Sequence, residues 1–572
     1  MLLHLIAGCA SSTFAVNPRF TDVSSVAGLG EINATRVKFV DLNGDNRPDI
    51  VTTDTSPRHR VFLNTSQSPL RFKEVATPNL PTAAASDCIA FADLDGDGTP
   101  DCILTRNLDL NNPKFVVPPE PAGSCWLKGN GDGHFGPPNL LADATRGTTS
   151  TIAIGDVNRD GWLDLFLGLW YKKYGESNEA YCNDLLIAHG KRSPAFVRAP
   201  LPSDRIAYEE EKDLGGRPTY GLMILPRIEP ATTRPALLEL SYGRRWNRLW
   251  IQDDKAVWSD MAPALKLDGD DIRHGIYPPQ AKRENEKPFR SNGNTFDAAI
   301  ADVNNDGKVD LFVSEITHWW AGESSDRSRF LINRGTHFDS PAALNIDRIP
   351  EDPAVRWNQG DIFCEMADFD EDGRIDLLLS SGEYPDKQQL RMYQQQSDET
   401  FKDVTATSGI DHEGSAQIAL ADVDGDGDLD ILAGQTFNRL TAEQTKGRSP
   451  RVKLFLNQTH QDGSKSVVLR LRDNRAGNRA GLGSIVSATT TIRGKVTTQT
   501  HVLIGIGGCG GKQHDFIVHF GLGNAARFDQ INITWPDGAI QKLEDVAAGA
   551  HLIQFKGQCY IMEKARNQSS RP

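Results

Sequence analysis

The sequence contains no apolar run of about 18 residues, the length that a membrane-spanning helix needs. Cysteine is scarce, with 8 among 572 residues. There is neither a Cys-x-x-Cys pair nor Cys and His at the spacing of zinc ligands. The sequence therefore argues against a transmembrane helix, a disulfide framework and structural zinc. A net charge of −14 also argues against nucleic acid or an anionic membrane surface as the main partner.

The composition is that of a folded, turn-rich protein. Hydrophobic residues make up 38% and charged residues 24%, so the chain can bury a sizeable core. The 51 glycines and 31 prolines favour a β protein over a helical one. A length of 572 residues allows roughly two to four domains.

One acidic pattern, D-x-[DN]-x-D-[GN]-x-x-D, occurs six times along the chain. The copies are Asp41, Asn43, Asp45 and Asp49; Asp93, Asp95, Asp97 and Asp101; Asp156, Asn158, Asp160 and Asp164; Asp302, Asn304, Asp306 and Asp310; Asp368, Asp370, Asp372 and Asp376; and Asp422, Asp424, Asp426 and Asp430.

The spacing of these copies predicts a β-propeller over residues 17–460. Short apolar stretches flank each acidic loop, so the loop is expected to join two strands of a hairpin. The interval from Asp156 to Asp302 is about twice the others, which predicts a unit without an acidic loop in that gap. Seven units of about four strands each indicate an all-β, seven-bladed propeller. An N-terminal strand, Phe20 to Val23, is expected to complete the last blade.

Two further regions flank the repeats. Residues 461–557 contain predicted strands around Gly-rich turns, which indicates a small C-terminal β domain separable from the propeller. Residues 558–572 are predicted to form a polar tail. Residues 1–16 form a signal-like segment in which Ile6-Ala7-Gly8-Cys9 resembles a bacterial lipobox. The stretch is short and has no Lys or Arg before it, so lipidation of Cys9 and a frayed terminus both stay open.

The acidic loops predict calcium sites. Carboxylates at positions 1, 3, 5 and 9 of one tight loop repel each other unless a hard cation lies among them, and oxygen ligands at this density favour Ca²⁺. An EF-hand is rejected because the flanks are strands and the ninth residue closes the site. Because such sites fill outside the cytoplasm, calcium binding favours export.

The acidic loops and their flanking strands resemble the FG-GAP repeat, the integrin-alpha type that is also called VCBS. Asn478 to Gly483, His519 to Gly523 and Trp535 to Gly538 resemble the marks of an ASPIC/UnbV domain. Together they resemble bacterial members of the cartilage acidic protein family. Gly481-Leu482-Gly483 departs slightly from the usual Ala-Ile-Gly. The resemblance implies a calcium-stabilised propeller at the cell surface or secreted, and no settled activity for the C-terminal domain.

A ligand surface is predicted on the propeller face opposite the metals. In a four-stranded antiparallel blade, the loops from strand two to strand three emerge at that other end. These loops hold aromatic and charged residues of the kind that binding surfaces use. The candidate ligand-binding residues are Trp170, Tyr242, Arg245, Trp246, Glu315, His318, Trp319, Trp320 and Trp357.

These features favour an exported binding or adhesion protein with an extracellular glycan or protein ligand, either secreted or held in the cell envelope as an outer-membrane lipoprotein. The alternative is a carbohydrate-active lyase or hydrolase built on the propeller, although no catalytic residue can be assigned. Gly505 to Gly510 matches G-x-G-x-x-G, but a strand rather than a helix is expected after it. A glycine-rich β-turn is therefore the favoured interpretation of that segment.

Overall fold

The computed structural model describes residues 17–561 apart from 55–57, 83–86, 119, 177–178, 190–192, 202–215, 227–233, 273, 278, 288–292, 319–320, 322–323, 347, 349–359, 383–387, 460–464, 476 and 558. Strands dominate, and the two α-helices in these ranges, α1 (Thr405–Ser408) and α2 (Ala442–Thr445), have four residues each. None of the helices within these ranges is long and apolar enough to span a membrane.

Most strands fall into four-stranded antiparallel units, which we call blades and number along the chain. Blade 1 contains β2 (Arg36–Val40), β3 (Asp49–Thr53), β4 (His59–Gln67) and β5 (Leu70–Glu74). Blade 2 contains β6 (Cys88–Ala92), β7 (Asp101–Thr105), β8 (Cys125–Gly129) and β9 (Phe135–Leu140). Blade 3 contains β10 (Thr149–Gly155), β11 (Asp164–Leu169), β12 (Asp184–His189) and β13 (Ala195–Ala199).

The interval without an acidic loop also holds such a unit, blade 4, with β14 (Thr219–Leu225), β15 (Ala236–Ser241), β16 (Arg248–Gln252) and β17 (Trp258–Asp260). Blade 5 contains β18 (Thr295–Ala301), β19 (Asp310–Glu315), β20 (Arg329–Asn333) and β21 (Phe338–Asp339). Blade 6 contains β22 (Asp361–Ala367), β23 (Asp376–Ser381), β24 (Gln389–Gln395) and β25 (Phe401–Asp403).

Blade 7 is built from both ends of the propeller sequence. It combines β26 (Ser415–Ala421), β27 (Asp430–Gln435) and β28 (Lys453–Asn457) with β1 (Phe20–Asp22) as its outermost strand. β1 pairs antiparallel with β28, and Phe20 lies opposite Asn457. The N-terminal strand thus completes the last unit, as the sequence predicts.

The core lies between neighbouring blades. The first two strands of the blades are almost entirely buried because each blade packs on a neighbour on both faces; β7, for example, has no exposed residue. Val51 of blade 1 packs with Phe91 of blade 2 in one apolar cluster, and Phe39 packs with Leu432 of blade 7 in another. Packing between the first and last blades closes the propeller-like, all-β arrangement that the sequence predicts.

The C-terminal region forms two further four-stranded sheets. One contains β29 (Ser466–Arg472), β34 (Val518–Gly521), β37 (Gly549–Gln554) and β38 (Cys559–Ile561). The other contains β30 (Ile485–Ile492), β31 (Lys495–Val502), β35 (Arg527–Thr534) and β36 (Ile540–Ala547). Val486, Phe528 and Trp535 are buried in their shared core, which also includes residues of blades 2 and 3.

A hairpin of this region leaves the two sheets and enters the propeller. β32 (Ile506–Cys509) and β33 (Lys512–Gln513) form it. β32 joins the innermost strands of blades 3 and 4, with Ile506 opposite Ile154 and Cys509 opposite Gly221. We call residues 505–515 the channel hairpin.

The channel hairpin touches the innermost strand of every blade in the described structure. The contacts are Lys38 Nζ to Gly511 O, Phe91 N to Gln513 Oε1, Thr151 Oγ1 to Gly508 O, Leu222 paired with Gly508, Asp297 Oδ1 accepting from Cys509 N, Glu365 with Lys512, and Gln417 Nε2 to Cys509 O. The expectation of a separable C-terminal domain is therefore wrong, because part of that domain fills the middle of the propeller.

Lys512 is the charged anchor of the hairpin. Its ammonium lies 2.6 Å from Asp297 Oδ2, contacts Glu365 Oε1, and donates to Cys364 O at 2.7 Å. Burial alone would lower the pKa of Lys512, but the charges of Asp297 and Glu365 outweigh burial and raise it. Burial likewise favours the neutral form of Glu365, yet the charges of His514 and Lys512 hold its pKa at about 2. Lys512 and Glu365 are thus held in their charged forms inside the protein, whereas burial raises the pKa of Asp297.

The glycines of the G-x-G-x-x-G segment have a structural role in the channel hairpin rather than a role in nucleotide binding. Gly508 and Gly510 have φ angles of 70° and 61°, the left-handed region that glycine tolerates best. A Cβ at Gly508 would collide with the Asp297 carboxylate and with Lys512. Two strands, β33 and then β34, follow the segment, which agrees with the expected glycine-rich turn.

The rest of the C-terminal region covers the face that carries the acidic loops. Asn478 N donates to Gly161 O at 2.8 Å in blade 3, and Ser466 Oγ donates to Gly427 O at 2.7 Å in blade 7. Gly523 N donates to Glu371 O at 2.6 Å in blade 6. The opposite face of the propeller, which we call the open face, is the end from which the loops between the second and third strands emerge.

We predict that Lys512→Met lowers the free energy of unfolding by about 3–5 kcal/mol, because it leaves Asp297 and Glu365 as buried carboxylates without their cation. Urea unfolding measures the change. Lys495→Met, an exposed lysine of the same domain, is the matched control and should change stability by no more than about 0.5 kcal/mol. Equal stability of the two variants would show that the hairpin is not anchored as described.

Candidate functional site

Each acidic loop joins the first and second strands of its blade, and its first aspartate organises the turn. In blade 7, Asp422 Oδ1 accepts from Asp426 N at 3.0 Å, and Oδ2 accepts from Gly427 N at 3.1 Å. The same two bonds recur at Asp41, Asp93, Asp156, Asp302 and Asp368. The first carboxylate therefore fixes the loop around itself.

The ninth aspartate ties the loop to the third strand. Asp430 Oδ2 accepts from Val423 N, and Oδ1 accepts from Asn457 N, both at 2.9 Å. Asp49, Asp101, Asp164, Asp310 and Asp376 make the equivalent pair of bonds. One side chain thus holds three strands of a blade in register, which explains why this position is Asp in all six copies.

The sixth residue of every loop has a left-handed backbone. φ is 61° at Asn46 and between 84° and 104° at Gly98, Gly161, Gly307, Gly373 and Gly427. Asn and Gly adopt this conformation more readily than other residues, so the [GN] choice at position 6 follows from the sharp bend.

Three of the loops bring carboxylate oxygens within 4.8 Å of one another and could hold a metal ion. They are Asp93, Asp95 and Asp101; Asp368, Asp370 and Asp376; and Asp422, Asp424 and Asp430. Burial raises the pKa of Asp93, in the first of these three loops, to about 7. It also raises the pKa of Asp49, in the separate loop of blade 1, to about 8. Oxygen donors that are buried and crowded in this way fit a hard divalent cation, whose charge offsets both burial and mutual repulsion.

A lysine shows how a positive charge fits one of these loops. Lys128 Nζ lies 2.5 Å from Asp95 Oδ2, 2.6 Å from Asp97 Oδ2 and 3.6 Å from Asp101 Oδ1. At position 5, Asp45, Asp306 and Asp372 contact Arg47, Lys308 and Arg374, which are the seventh residues of their own loops. A bound cation would compete with these basic groups for the carboxylates.

An aromatic cluster lies on the open face around Trp170, which directly follows β11. Its ring centroid lies 5.1 Å from Tyr171, 6.0 Å from Tyr174 and 4.3 Å from Tyr220. The predicted residue Tyr242 joins the cluster at 5.1 Å from Trp170. Tyr174 is 66% exposed, so the cluster presents aromatic surface to solvent.

Arg245 and Trp246 occupy a different environment from the exposed one that we predicted. They are 5% and 9% exposed. The Arg217 guanidinium lies 3.6 Å from the Trp246 ring centroid, and Arg217 Nη1 donates to Trp246 O at 2.7 Å. The prediction of exposed side chains is wrong here because the loop between β15 and β16 folds inward and buries both.

Glu315 is also buried rather than exposed. Its Oε2 accepts from Asn294 N at 2.9 Å, and its Oε1 accepts from Thr295 Oγ1 at 2.5 Å. Burial raises the pKa of Glu315 to about 8. These bonds give Glu315 a structural role at the entrance to blade 5.

His318 is partly exposed, and burial lowers its pKa to about 4. Its backbone N donates to Ser325 Oγ at 3.2 Å. Trp319, Trp320 and Trp357 lie outside the described residues, as does Cys9.

Sequence reasoning missed Tyr220 and Phe296, the second residues of the innermost strands β14 and β18. Their rings stack with centroids 4.0 Å apart, and Tyr242 lies 5.8 Å from Phe296. The signal available was a Thr-aromatic pair at the start of both strands, in segments otherwise rich in small and aliphatic residues. These rings extend the cluster of Trp170 towards the propeller axis.

Comparison with known proteins supports the repeat assignment. Residues 41–104 and 368–433 match the family described as FG-GAP-like repeat, and residues 474–558 match the family described as ASPIC and UnbV. Cartilage acidic protein 1 of Mus musculus is 26% identical over 200 residues, which is 32% of this chain and 29% of that protein. The match thus spans under a third of that relative.

Two solved structures are similar in part. A lectin of Agrocybe aegerita that recognises non-reducing terminal N-acetylglucosamine is 14% identical, with 65% of this chain and 81% of that chain covered and a TM-score of 0.36. The Tc holotoxin pore of Photorhabdus luminescens is 14% identical, with 77% and 14% covered and a TM-score of 0.33. Likenesses at these TM-scores are too distant to bear on function. The chain thus contains FG-GAP-like repeats and, towards its C-terminus, a region that matches the ASPIC and UnbV family.

Proposed function

We propose that this protein is an exported, calcium-stabilised propeller that binds an extracellular glycan or protein through its open face. The proposal rests on one observation, which is that the C-terminal domain covers one face of the propeller and leaves the other face open. The C-terminal domain covers the face with the acidic loops, and the channel hairpin fills the axis. The open face keeps its loops and the aromatic cluster of Trp170.

Calcium is the cation that suits the acidic loops best. They offer carboxylate and carbonyl oxygens without Cys or His, which is the donor set of Ca²⁺. Extracellular calcium modules bind with Kd values of roughly 10⁻⁴ to 10⁻³ M. FG-GAP repeats are typical of exported proteins, and both points support a location outside the cytoplasm, with Cys9 as the candidate lipid anchor.

The ligand site is proposed around Trp170, Tyr174, Tyr220 and Tyr242. Tilted and edge-on rings at 4–6 Å form a rigid apolar platform with hydroxyl groups at its edge. Such platforms suit the apolar faces of sugar rings as well as protein side chains, because they bury area at small entropic cost. Arg245, Trp246 and Glu315 are buried and are therefore left out of the proposed contact surface.

Calcium removal should lower the melting temperature, because a ligand that binds only the folded state stabilises it. Excess EDTA provides the test, with elemental analysis of the untreated protein. Asp422→Asn should remove one site, which contributes about 2.7 kcal/mol at free calcium 100-fold above Kd. Asp424→Asn is the matched control with a smaller expected loss, since three other loops carry Asn at that position. A melting curve that EDTA leaves unchanged, in a protein without bound calcium, contradicts the proposed role of calcium.

Replacing Trp170 and Tyr174 together with Ala should abolish ligand binding and leave the calcium-dependent rise in melting temperature intact. Binding is measured on a glycan array and a panel of extracellular proteins, with and without EDTA. The pair Trp170→Phe and Tyr174→Phe keeps both ring planes and should retain most of the binding. Normal binding by the alanine pair would place the ligand site elsewhere on the molecule.

A further inference from the structure

One position in the third strand of each blade is bonded to the acidic loop of that blade. The backbone N–H at this position donates to the ninth aspartate of the loop, and we call the residue there the link residue. The link residues of the six blades that carry an acidic loop are Asn64, Gly129, Ala188, Asn333, Gln395 and Asn457.

In blades 1, 6 and 7, the side-chain amide of the link residue also reaches the acidic loop of the preceding blade. In each case it donates to the carbonyl oxygen of the second loop residue. The three bonds are Asn64 Nδ2 to Val423 O at 3.0 Å, Gln395 Nε2 to Val303 O at 3.1 Å, and Asn457 Nδ2 to Phe369 O at 2.9 Å. The first of them crosses from blade 7 to blade 1, where the ring closes.

The residue that accepts this bond is itself tied to the ninth aspartate of its own loop. Val423 N donates to Asp430 Oδ2 at 2.9 Å, while Asn64 N donates to Asp49 Oδ1 at 2.7 Å. The same arrangement recurs through Phe369 with Asp376 and through Val303 with Asp310. A continuous hydrogen-bonded chain, which we call the loop chain, therefore connects the acidic loops of blades 5, 6, 7 and 1.

The loop chain stops where the sequence lacks one of its two parts. Gly129 and Ala188 have no side-chain amide, so the loops of blades 2 and 3 lie outside it. Asn333 follows blade 4, which has no acidic loop, and its Nδ2 donates to Val309 O of its own loop at 3.3 Å. The bond to the preceding loop is thus present wherever an amide and a preceding acidic loop occur together.

The three amides of the loop chain are buried, and a buried amide that loses its partner costs free energy. Asn64 is the simplest case. Among the described residues its Oδ1 accepts no hydrogen bond, so the bond to Val423 is the one that its side-chain amide makes. A loop that moves its second carbonyl therefore disturbs the link residue of the next blade.

We propose that cation binding is positively cooperative among the loops of blades 5, 6, 7 and 1, and that Gln395, Asn457 and Asn64 carry the coupling. This inference rests on the proposed calcium sites and concerns how they act on one another. A cation draws the carboxylates of a loop together and fixes the second residue beside the ninth aspartate. The fixed carbonyl then holds the next link residue, which positions the ninth aspartate of the next loop for its own cation.

The carboxylate content of the loops gives the coupling a direction. The loops of blades 6 and 7 carry Asp at positions 1, 3, 5 and 9, whereas those of blades 5 and 1 carry Asn at position 3. A larger ligand charge favours tighter calcium binding. The two stronger loops therefore lie in the middle of the loop chain, fill first and assist the two outer loops.

The test follows each loop separately, by hydrogen exchange of the full-length protein across a calcium titration. Asp422→Asn removes the cation site of blade 7. It should raise the calcium concentration that half-protects residues 42–47 of blade 1 by at least about fivefold, the low end of usual coupling between sites. Residues 369–374 of blade 6 should shift likewise. Residues 157–162 of blade 3 should not shift, because the loop chain does not reach them.

The same titration in an Asn64→Ala background shows whether the amide carries the effect. There Asp422→Asn should no longer shift residues 42–47, but it should still shift residues 369–374, since Asn457 makes the bond to blade 6. Asn457→Ala should reverse this selectivity, and it provides a second route if Asn64→Ala does not fold.

Asn333→Ala is the matched control, because it removes an amide bond to a backbone carbonyl within a single loop. It should leave both shifts intact. A shift of residues 42–47 that persists in the Asn64→Ala background, or an equal shift in blade 3, overturns the proposal. Loops that gain protection in calcium but do not affect one another also overturn it, and they leave the proposed calcium sites standing. Loops that calcium does not protect at all overturn those sites and the coupling together.

Discussion

The structure depends on how the centre of the propeller is filled. The innermost strands of the blades surround a channel, and a hairpin from the C-terminal domain occupies it. Lys512 places one positive charge between Asp297 and Glu365, which come from blades 5 and 6. A buried ion pair of this kind contributes little net stability compared with an apolar core, but breaking it is costly. It therefore fixes one insertion geometry and makes the two domains a single folded unit.

That unit gives the two faces different roles. The C-terminal domain packs on the loops of blades 3, 6 and 7, so a cation bound in those loops would act on the surface to which the domain is attached. The ninth aspartate of each loop connects the same region to the third strand of its blade. The acidic loops, the register of the blades and the docking of the C-terminal domain are thus linked through a few side chains. The open face takes no part in this linkage, which is why the proposed ligand site is placed there.

The sequence predicts the parts of the fold that depend on local patterns. Each acidic loop has its own glycine or asparagine at position 6. The loop also lies within a few residues of the two strands that flank it. The hairpin insertion could not be predicted in this way, since its partners are remote in sequence: Lys38 and Gly511 are 473 residues apart. The glycines at 505–511 indicate a turn, but nothing local shows that the turn enters a channel. Similarly, Trp246 follows polar turn residues and looks exposed, whereas its burial under Arg217 depends on a tertiary contact.

The most direct test of the account is calorimetric unfolding of the full chain in calcium, combined with hydrogen exchange along the sequence. The account predicts one cooperative transition, with β32 of the channel hairpin as well protected as the neighbouring strands β10 and β14. Two separate transitions, in which residues 466–557 unfold and exchange while the blades stay protected, would contradict it.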